Sequence, residues 1–187
     1  TLFLALSNNV CNNNKKVVLS GEGADEILAG YECFRSGLIN SNPQYVWHPD
    51  SSKFGDSSRF LNSSFKKMLG FDPPRIDEWS ILSGQKEQFY SFDFKRSLMR
   101  KNPDSELTSL VDMSLIPKLS LLDKYLYLDF MTRLPSEILH TGDRMSMASS
   151  VEVRMPFLDT EIIEFCAKLP QCYKINGEID KYILRKI

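Results

Sequence analysis

The sequence predicts an α/β fold, because a short apolar strand leads directly into a glycine turn and then into a helix. Three observations support this: the apolar run Val17–Leu19, the turn glycines Gly21 and Gly23, and the acidic residues Asp25 and Glu26 that follow. A short apolar run bounded by turn residues is typical of a buried parallel strand, and acidic residues favour the first turn of a helix. Ligands of open α/β sheets bind beyond the carboxyl ends of the strands. The turn after this strand is therefore the expected place for a site.

The rest of the chain is predicted to be mostly helical. Residues 1–9 are compatible with the end of a helix, and residues 117–132 have helical spacing that we expect Pro135 to end. Asp159 is a good N-cap for a last amphipathic helix. Residues 36–118 are predicted to form a variable helical and loop region, which begins with a long irregular connection at 36–70 that can contain short helical pieces.

Composition and charge exclude several classes of protein. The chain has 187 residues, 42% of them hydrophobic, which is enough to bury the core of one domain. Its net charge of -1 argues against a nucleic-acid or anionic membrane partner. No apolar run approaches the roughly 20 residues of a membrane helix. Four cysteines without CxxC spacing are expected to be reduced thiols of a cytoplasmic protein.

The turn sequence SGEGADE has the residue types of a phosphate site. Its two glycines let the backbone approach an anion, and the helix that follows directs free amide groups at it. The acids Glu22, Asp25 and Glu26 would repel a bare phosphate, so a divalent metal such as magnesium on a pyrophosphate, or a cationic substrate group, would have to intervene. The residues alone are equally consistent with a plain strand-to-helix turn whose acids complement the helix dipole.

Two further segments concentrate charge. The run LHTGDRMSMASSVEVRMPFLD carries oppositely charged side chains in apolar sequence and predicts a buried polar network, either catalytic or purely structural. Its charged members are Asp143, Arg144, Glu152, Arg154 and Asp159. Near the end, DKYILRK places Lys181 and Arg185 one helical turn apart, which on its own indicates an exposed basic helix face.

Three segments in this order resemble one known family. SGEGADEILAGY, DRMSMASSVEVRMPFLD and DKYILRK together are similar to the synthetase domain of glutamine-dependent asparagine synthetases, which belong to the ATP pyrophosphatase superfamily with β-lactam-forming ligases. The resemblance covers most of the chain outside about residues 36–118. It implies a parallel-sheet domain of the PP-loop, adenine nucleotide alpha hydrolase-like type, in which residues 1–35 carry the nucleotide loop and residues 119–187 a helical part with the other two motifs.

The resemblance also implies a reaction. Enzymes of this family use ATP and Mg²⁺ to adenylate aspartate, releasing pyrophosphate, and ammonia then converts the β-aspartyl-AMP intermediate to asparagine and AMP. The ammonia comes from glutamine through a covalently linked N-terminal glutaminase domain. That domain and the upstream SGGxDS loop are absent from this sequence, so we expect a fragment that is inactive alone. A homodimer is possible.

By the same resemblance, individual residues acquire expected roles. Ser20, Gly21 and Gly23 would contact the nucleotide, and Asp25 would hold Mg²⁺ and pyrophosphate. Glu22 would position or deprotonate ammonia. Lys181 would bind the phosphates as pyrophosphate leaves.

A second group is expected to support the site. It consists of Tyr31, Asp143, Arg144, Glu152 and Arg154, of which Glu152 resembles a dyad acid of the β-lactam branch. Where many relatives read Gly-Gly-Tyr, this chain has Ala29 before Gly30 and Tyr31. Two alternatives remain: another amide or β-lactam synthetase of the superfamily, and a catalytically silent interaction module.

Overall fold

The described residues of the computed structural model are 2–41, 66–71, 73, 89–98 and 108–187. The chain divides into two compact units, one formed by Thr1–Glu32 with Leu122–Ile187 and the other by Cys33–Leu121. The described part is mixed α/β and mostly helical, with a small parallel sheet, as predicted. The division into residues 1–35, 36–118 and 119–187 of a single synthetase domain stays a prediction.

Short helices dominate the described chain. Its elements are α1 Leu2–Asn12, β1 Val17–Leu19, α2 Ala24–Leu28, α3 Glu32–Ser41, α4 Phe92–Leu98, a 3-10 turn Ile116–Lys118, α5 Leu121–Met131, a π-helix Leu134–Leu139, α6 His140–Met147, β2 Glu152–Arg154, a 3-10 turn Pro156–Leu158, α7 Thr160–Lys168, α8 Gln171–Lys174 and α9 Tyr182–Lys186. The second unit contains α4, the 3-10 turn Ile116–Lys118 and all of α3 except its first residue. The other elements belong to the first unit, except that the first residue of α5 lies in the second.

The two strands pair in parallel. Val17, Val18 and Leu19 stand opposite Glu152, Val153 and Arg154. Hydrogen bonds from Glu152 N to Lys16 O (2.8 Å) and from Ser20 N to Arg154 O (2.9 Å) extend the ladder at both ends. The predicted parallel strand is confirmed.

The predicted burial of that strand is wrong. Val17 is 43% exposed and Leu19 74% exposed, whereas Val18 between them is half-buried. Alternate residues of a strand face opposite sides of the sheet, so one face of this small sheet is covered and the other is open. The apolar run therefore indicated a strand correctly but not two covered faces.

A compact apolar cluster lies beneath the turn that follows β1. Ile27 and Leu28 of α2 are buried with Cys166 of α7. The partly buried side chains packed against them are Phe130, Phe157, Ile163, Leu169 and Ile183. The cluster fixes α2 against α7 and α9, and so determines where the glycine turn lies.

The start of α7 follows the predicted cap. The Asp159 side chain accepts a hydrogen bond from Glu161 N at 2.9 Å, and Glu161 lies in the first turn. An exposed first-turn amide of the helix thus has a partner.

The helix predicted over residues 117–132 spans Leu121–Met131, so its end agrees with the prediction. The expectation that Pro135 stops the helical chain is wrong, because a π-helix begins at Leu134 and leads directly into α6. Pro135 lies in the first turn of the π-helix, where an amide hydrogen would have no intrahelical acceptor. The short helical pieces allowed for in the connection at 36–70 are present in its described parts, as the last residues of α3 and as residues 66–69. Residues 42–65 lie outside the described residues.

All four cysteines are free thiols, and that of Cys166 is buried. Among the described helices, none has the length and apolar character needed to span a membrane.

Replacing Asp159 tests the cap of α7. Asp159→Ala removes the acceptor for Glu161 N, so we expect the free energy of unfolding to fall by about 1 kcal/mol. Asp159→Asn retains an acceptor and serves as the control. Urea unfolding of both variants measures the difference; an Ala variant as stable as the Asn variant would contradict the assignment of the cap.

Candidate active site

The glycine turn begins where β1 ends. Ser20 Oγ accepts a hydrogen bond from Glu22 N at 3.3 Å, and Ala24 N donates to Gly21 O at 3.2 Å as the chain enters α2. Gly23 has a φ of 90°, and a Cβ there would lie 2.2 Å from Leu158 Cδ2. Glycine is therefore required at this position both by backbone conformation and by packing.

The helix after the turn ends in a second tight bend. Ala29 has a φ of 60°, a left-handed conformation that glycine adopts more readily. Gly30 N donates to Asp25 O at 2.9 Å. A Cβ on Gly30 would lie 1.8 Å from Asp25 Oδ1 and 2.9 Å from Lys181 Cδ. The absent side chain leaves the space in which Asp25 meets Lys181.

Lys181 is brought to the turn from the far end of the sequence. Its Nζ donates to Asp25 Oδ1 at 2.7 Å across a separation of 156 residues. Both side chains are partly exposed, 27% for Lys181 and 29% for Asp25. Lys181 caps α9 with a left-handed φ of 43°.

Lys181 and Arg185 do not form a basic helix face. Arg185 turns back to the Asp180 side chain and backbone oxygen, whereas Lys181 reaches Asp25. Because Lys181 precedes the first residue of α9, the two cations are not displayed together. The interpretation as an exposed basic face is therefore wrong.

Glu22 lies at the centre of the turn and is half-buried. Burial raises the pKa of Glu22 above its ordinary value of 4.5, and the negative charges of Glu26 and Asp25 raise it further, while Arg133 opposes them. A carboxyl group with a raised pKa is a better proton acceptor once ionised. Glu22 can thus orient a small basic molecule and accept a proton from it.

Glu26 faces inward, whereas Glu22 and Asp25 are only partly buried. It is 1% exposed, and its Oε1 accepts a hydrogen bond from the Tyr31 hydroxyl at 2.7 Å. Burial raises the pKa of Tyr31, and the hydrogen bond to Glu26 adds to this effect, so the phenol remains a donor. Arg133 lies beside this pair, with its Nη1 3.8 Å from Glu26 Oε1 and its guanidinium 4.7 Å from the centre of the Tyr31 ring.

Sequence reasoning missed Arg133 and the role of Glu26. Arg133 stands four residues after Asp129 and four before Glu137, at ion-pair distance from both. Spacing of this kind on a helix places charges on one face. The pattern was therefore a usable signal, although it could not indicate that Glu26 joins the group.

The charged run of residues 139–159 does not form the predicted buried network. The side chains of Asp143, Arg144, Glu152 and Arg154 are exposed. Glu152 and Arg154 face the same side of β2 and pair with each other at 2.8 Å. Asp159 is also exposed and caps α7. The reason is geometric: the small residues of α6 and the alternate position of β2 take the buried places, and the charges take the open face.

The described residues contain no group of three or more His, Cys, Asp or Glu side chains that could hold a metal ion. At the turn, Glu26 is directed to Tyr31, and one oxygen of Asp25 is paired with Lys181. Any divalent ion here would take few donors from these residues and the remainder from its ligand and water, as Mg²⁺ commonly does.

Comparison with known proteins identifies the family. A family model described as Asparagine synthase matches residues 1–187, which is the whole chain. The chain belongs to the asparagine synthase family. No solved structure matches it.

Named relatives agree with this membership. A protein of Mycobacterium tuberculosis (strain H37Rv), provisionally named asparagine synthetase (glutamine-hydrolyzing), is 30% identical over 91% of this chain and 26% of its own length. Asparagine synthetase (glutamine-hydrolyzing) 1 of Bacillus subtilis is 30% identical over 91% of this chain and 27% of its own. Amidase chyE of Penicillium rubens is 27% identical over 98% of this chain and 31% of its own. This asparagine synthase family chain thus spans about a quarter to a third of the relatives' length.

Adding a methyl group at Gly30 should separate Asp25 from Lys181. Because the new Cβ would lie 1.8 Å from Asp25 Oδ1, we expect Gly30→Ala to lower the free energy of unfolding by about 1–3 kcal/mol. Gly21→Ala, in the turn before α2, is the matched control, because nothing lies within 4 Å of its added Cβ. Urea unfolding measures both variants, and equal stability of the two would contradict the packing described.

The raised pKa of Glu22 should appear in the pH dependence of stability. The folded protein keeps the Glu22 proton to higher pH than the unfolded chain does, so this group lowers stability as pH rises from 4.5 through the folded value. Glu22→Gln removes that decline. Urea unfolding between about pH 4 and pH 8 compares the variant with the parent protein, and Glu164→Gln on α7 is the control for losing an exposed carboxylate. A constant stability difference between parent and Glu22→Gln across the range would refute the expectation.

Proposed function

We propose that the protein containing this chain is an ATP-dependent carbon–nitrogen ligase that converts aspartate to asparagine. It adenylates the aspartate side chain with release of pyrophosphate, and ammonia derived from glutamine then displaces AMP. Membership of the asparagine synthase family supports an amide-forming ligase. The choice of aspartate as the substrate follows the motif resemblance and the named asparagine synthetases, and the geometry of the turn supports the ATP-dependent step.

The observation that carries the proposal is the pairing of Lys181 with Asp25. Two motifs separated by most of the chain meet at 2.7 Å beyond the carboxyl end of β1, where α/β sheets bind ligands. A cation, a carboxylate and a glycine turn at one place are the groups needed to bind a metal-associated phosphate chain and stabilise its departure. A plain strand-to-helix turn would not need the lysine.

The proposed roles follow from these positions. Ser20, Gly21 and Gly23 contact the nucleotide through the exposed backbone of the turn. Lys181 binds the phosphates and balances the charge that develops as pyrophosphate leaves. Glu22 orients ammonia toward the activated carboxyl group and accepts a proton from it, a role to which its raised pKa is suited.

Mg²⁺ fits the donor set of this turn only together with a phosphate ligand. Asp25 would supply its carboxylate, and the remaining ligands would be phosphate oxygens and water. When bound, the ion would neutralise part of the phosphate charge. Lys181 pairs with one oxygen of Asp25, so the cation and the metal would share this carboxylate.

The larger assembly is part of the same proposal. We assign residues 1–187 to part of a single PP-loop parallel-sheet synthetase domain, to which a glutaminase domain would be covalently linked and which would form a homodimer. Tyr31 supports the turn from within. Asp143, Arg144, Glu152 and Arg154, which are exposed, would serve at a surface of the domain rather than in its interior.

The first test is the reaction of the full-length protein. With ATP, Mg²⁺, aspartate and glutamine we expect equal amounts of asparagine, AMP and pyrophosphate, measured by chromatography and a pyrophosphate assay. Omitting aspartate should stop pyrophosphate release. Release that depends on another carboxylate instead would indicate a different amide or lactam synthetase. A folded protein that releases no pyrophosphate with any carboxylate would indicate a silent interaction module.

Removal of Lys181 tests the role of the ion pair. Lys181→Ala should reduce pyrophosphate release by about 100-fold or more, because the charge that stabilises the leaving group is lost. Lys168→Ala, which removes an exposed lysine of α7, should retain full activity. Circular dichroism establishes that both variants are folded. A Lys181→Ala variant with parental activity would eliminate the proposed role.

A further inference from the structure

Arg133 is at the centre of a mostly buried polar group that lies beside the glycine turn and α2, which carry Glu22 and Asp25. Its guanidinium contacts the face of the Tyr31 ring, and ion-pair distances join it to Glu26 (3.8 Å), Asp129 (4.0 Å) and Glu137 (3.1 Å). The Arg133 side chain is 16% exposed, whereas Glu137 is 64% exposed. Arg133 therefore links the exposed Glu137 of the π-helix to Glu26, which lies on the buried side of α2.

Glu26 directly follows Asp25 on α2, and Glu22 lies two residues before the first residue of this helix. A change in the orientation of α2 would therefore move Asp25 and shift the adjoining turn that carries Glu22. The Tyr31 hydroxyl and Arg133 oppose such a change from two directions. Because α2 spans only Ala24–Leu28, it has few internal hydrogen bonds to define its own orientation.

Two atoms of the group are buried without a hydrogen-bond partner in the described residues, Glu26 Oε2 and Arg133 Nη1. Burial of polar atoms without partners costs free energy. Buried ion pairs in general contribute little net stability, since desolvation offsets their attraction. Stability alone therefore explains this group poorly, and fixed orientation explains it better.

We propose that Arg133 is a positioning residue that acts through Glu26 and Tyr31 to fix α2, and thereby sets the directions in which Glu22 and Asp25 point. The inference builds on the proposed function, in which those two acids meet ammonia and the phosphates. Arg133 pairs with Glu26, Asp129 and Glu137 and stacks on Tyr31, so in this proposal it acts through them and not on the substrates. Its positive charge also opposes the raised pKa of Glu22.

The same unit contains a matched control. Lys174 is 1% exposed and donates to Asp123 Oδ1 at 2.8 Å, so it is also a buried cation paired with a carboxylate of α5. That pair joins α8 to α5. Loss of either cation should destabilise the protein. Only the loss of Arg133 should also increase the mobility of residues 20–31.

The first arm of the test measures order in the turn without any substrate. Hydrogen exchange of the full-length protein, followed by mass spectrometry, compares Arg133→Met with Lys174→Met. We expect Arg133→Met to accelerate exchange in residues 20–31 by about tenfold relative to the rest of the first unit, and Lys174→Met to leave that ratio unchanged. Equal ratios in the two variants would overturn the proposal.

A milder variant covers the case in which Arg133→Met fails to fold. Tyr31→Phe removes a single hydroxyl and keeps the ring beneath the guanidinium. It should accelerate exchange in residues 20–31 in the same direction by a smaller factor. Parental exchange in this segment would count against the proposal.

The second arm measures asparagine formed per pyrophosphate released. This ratio does not depend on the fraction of protein that is folded. If Glu22 is displaced, adenylated aspartate is lost to water and the ratio falls clearly below one in Arg133→Met, whereas Lys174→Met keeps a ratio of one. Arg133→Lys, which retains the charge but not the guanidinium, should restore part of the ratio. A ratio of one in Arg133→Met would overturn the proposal.

The two arms separate this inference from the proposed function. If the parent protein releases no pyrophosphate, the ligase assignment fails, but the exchange of residues 20–31 still decides whether Arg133 orders the turn. If the parent protein makes asparagine and Arg133→Met behaves like Lys174→Met in both arms, only the positioning role fails.

Discussion

The ion pair between Asp25 and Lys181 is the interaction on which the candidate site depends. Both side chains are partly exposed, so solvent screens their attraction and the pair adds little net stability. Its importance is one of placement, because it joins a turn after β1 to a segment 156 residues later. The pair in turn requires a glycine at position 30, which connects a backbone constraint to the electrostatics of the turn.

Local features were readable from the sequence, and long-range ones were not. The strand, the glycine turn and the Asp159 cap each depend on residues within a few positions, and the structure confirms them. The sequence indicates a site role for Lys181 only through the resemblance of its motif to a known family, because its local spacing indicates an exposed basic helix face instead. Nothing in the sequence near Glu26 distinguishes it from Asp25, yet Glu26 faces the interior and Asp25 does not, since that depends on where Tyr31 and Arg133 lie.

The failed prediction of a buried charged network has a similar cause. Apolar neighbours suggested that Glu152 and Arg154 are enclosed, but a strand of three residues places its first and third side chains on one face. That face is the open one in this chain. The average hydrophobicity of a segment therefore says little about the burial of a single residue in a strand, where successive side chains alternate between two faces. The pairing register with β1 determines which residues share a face.

The π-helix changes which face of this helical stretch is buried. Side chains on an α-helix advance by about 100° per residue, so the wider turns at Leu134–Leu139 alter the direction of the side chains that follow. Before these turns α5 buries Tyr125 and Leu128, and after them α6 buries Gly142 and Ser146. Helices that follow each other closely in the chain can thus present their buried faces in different directions.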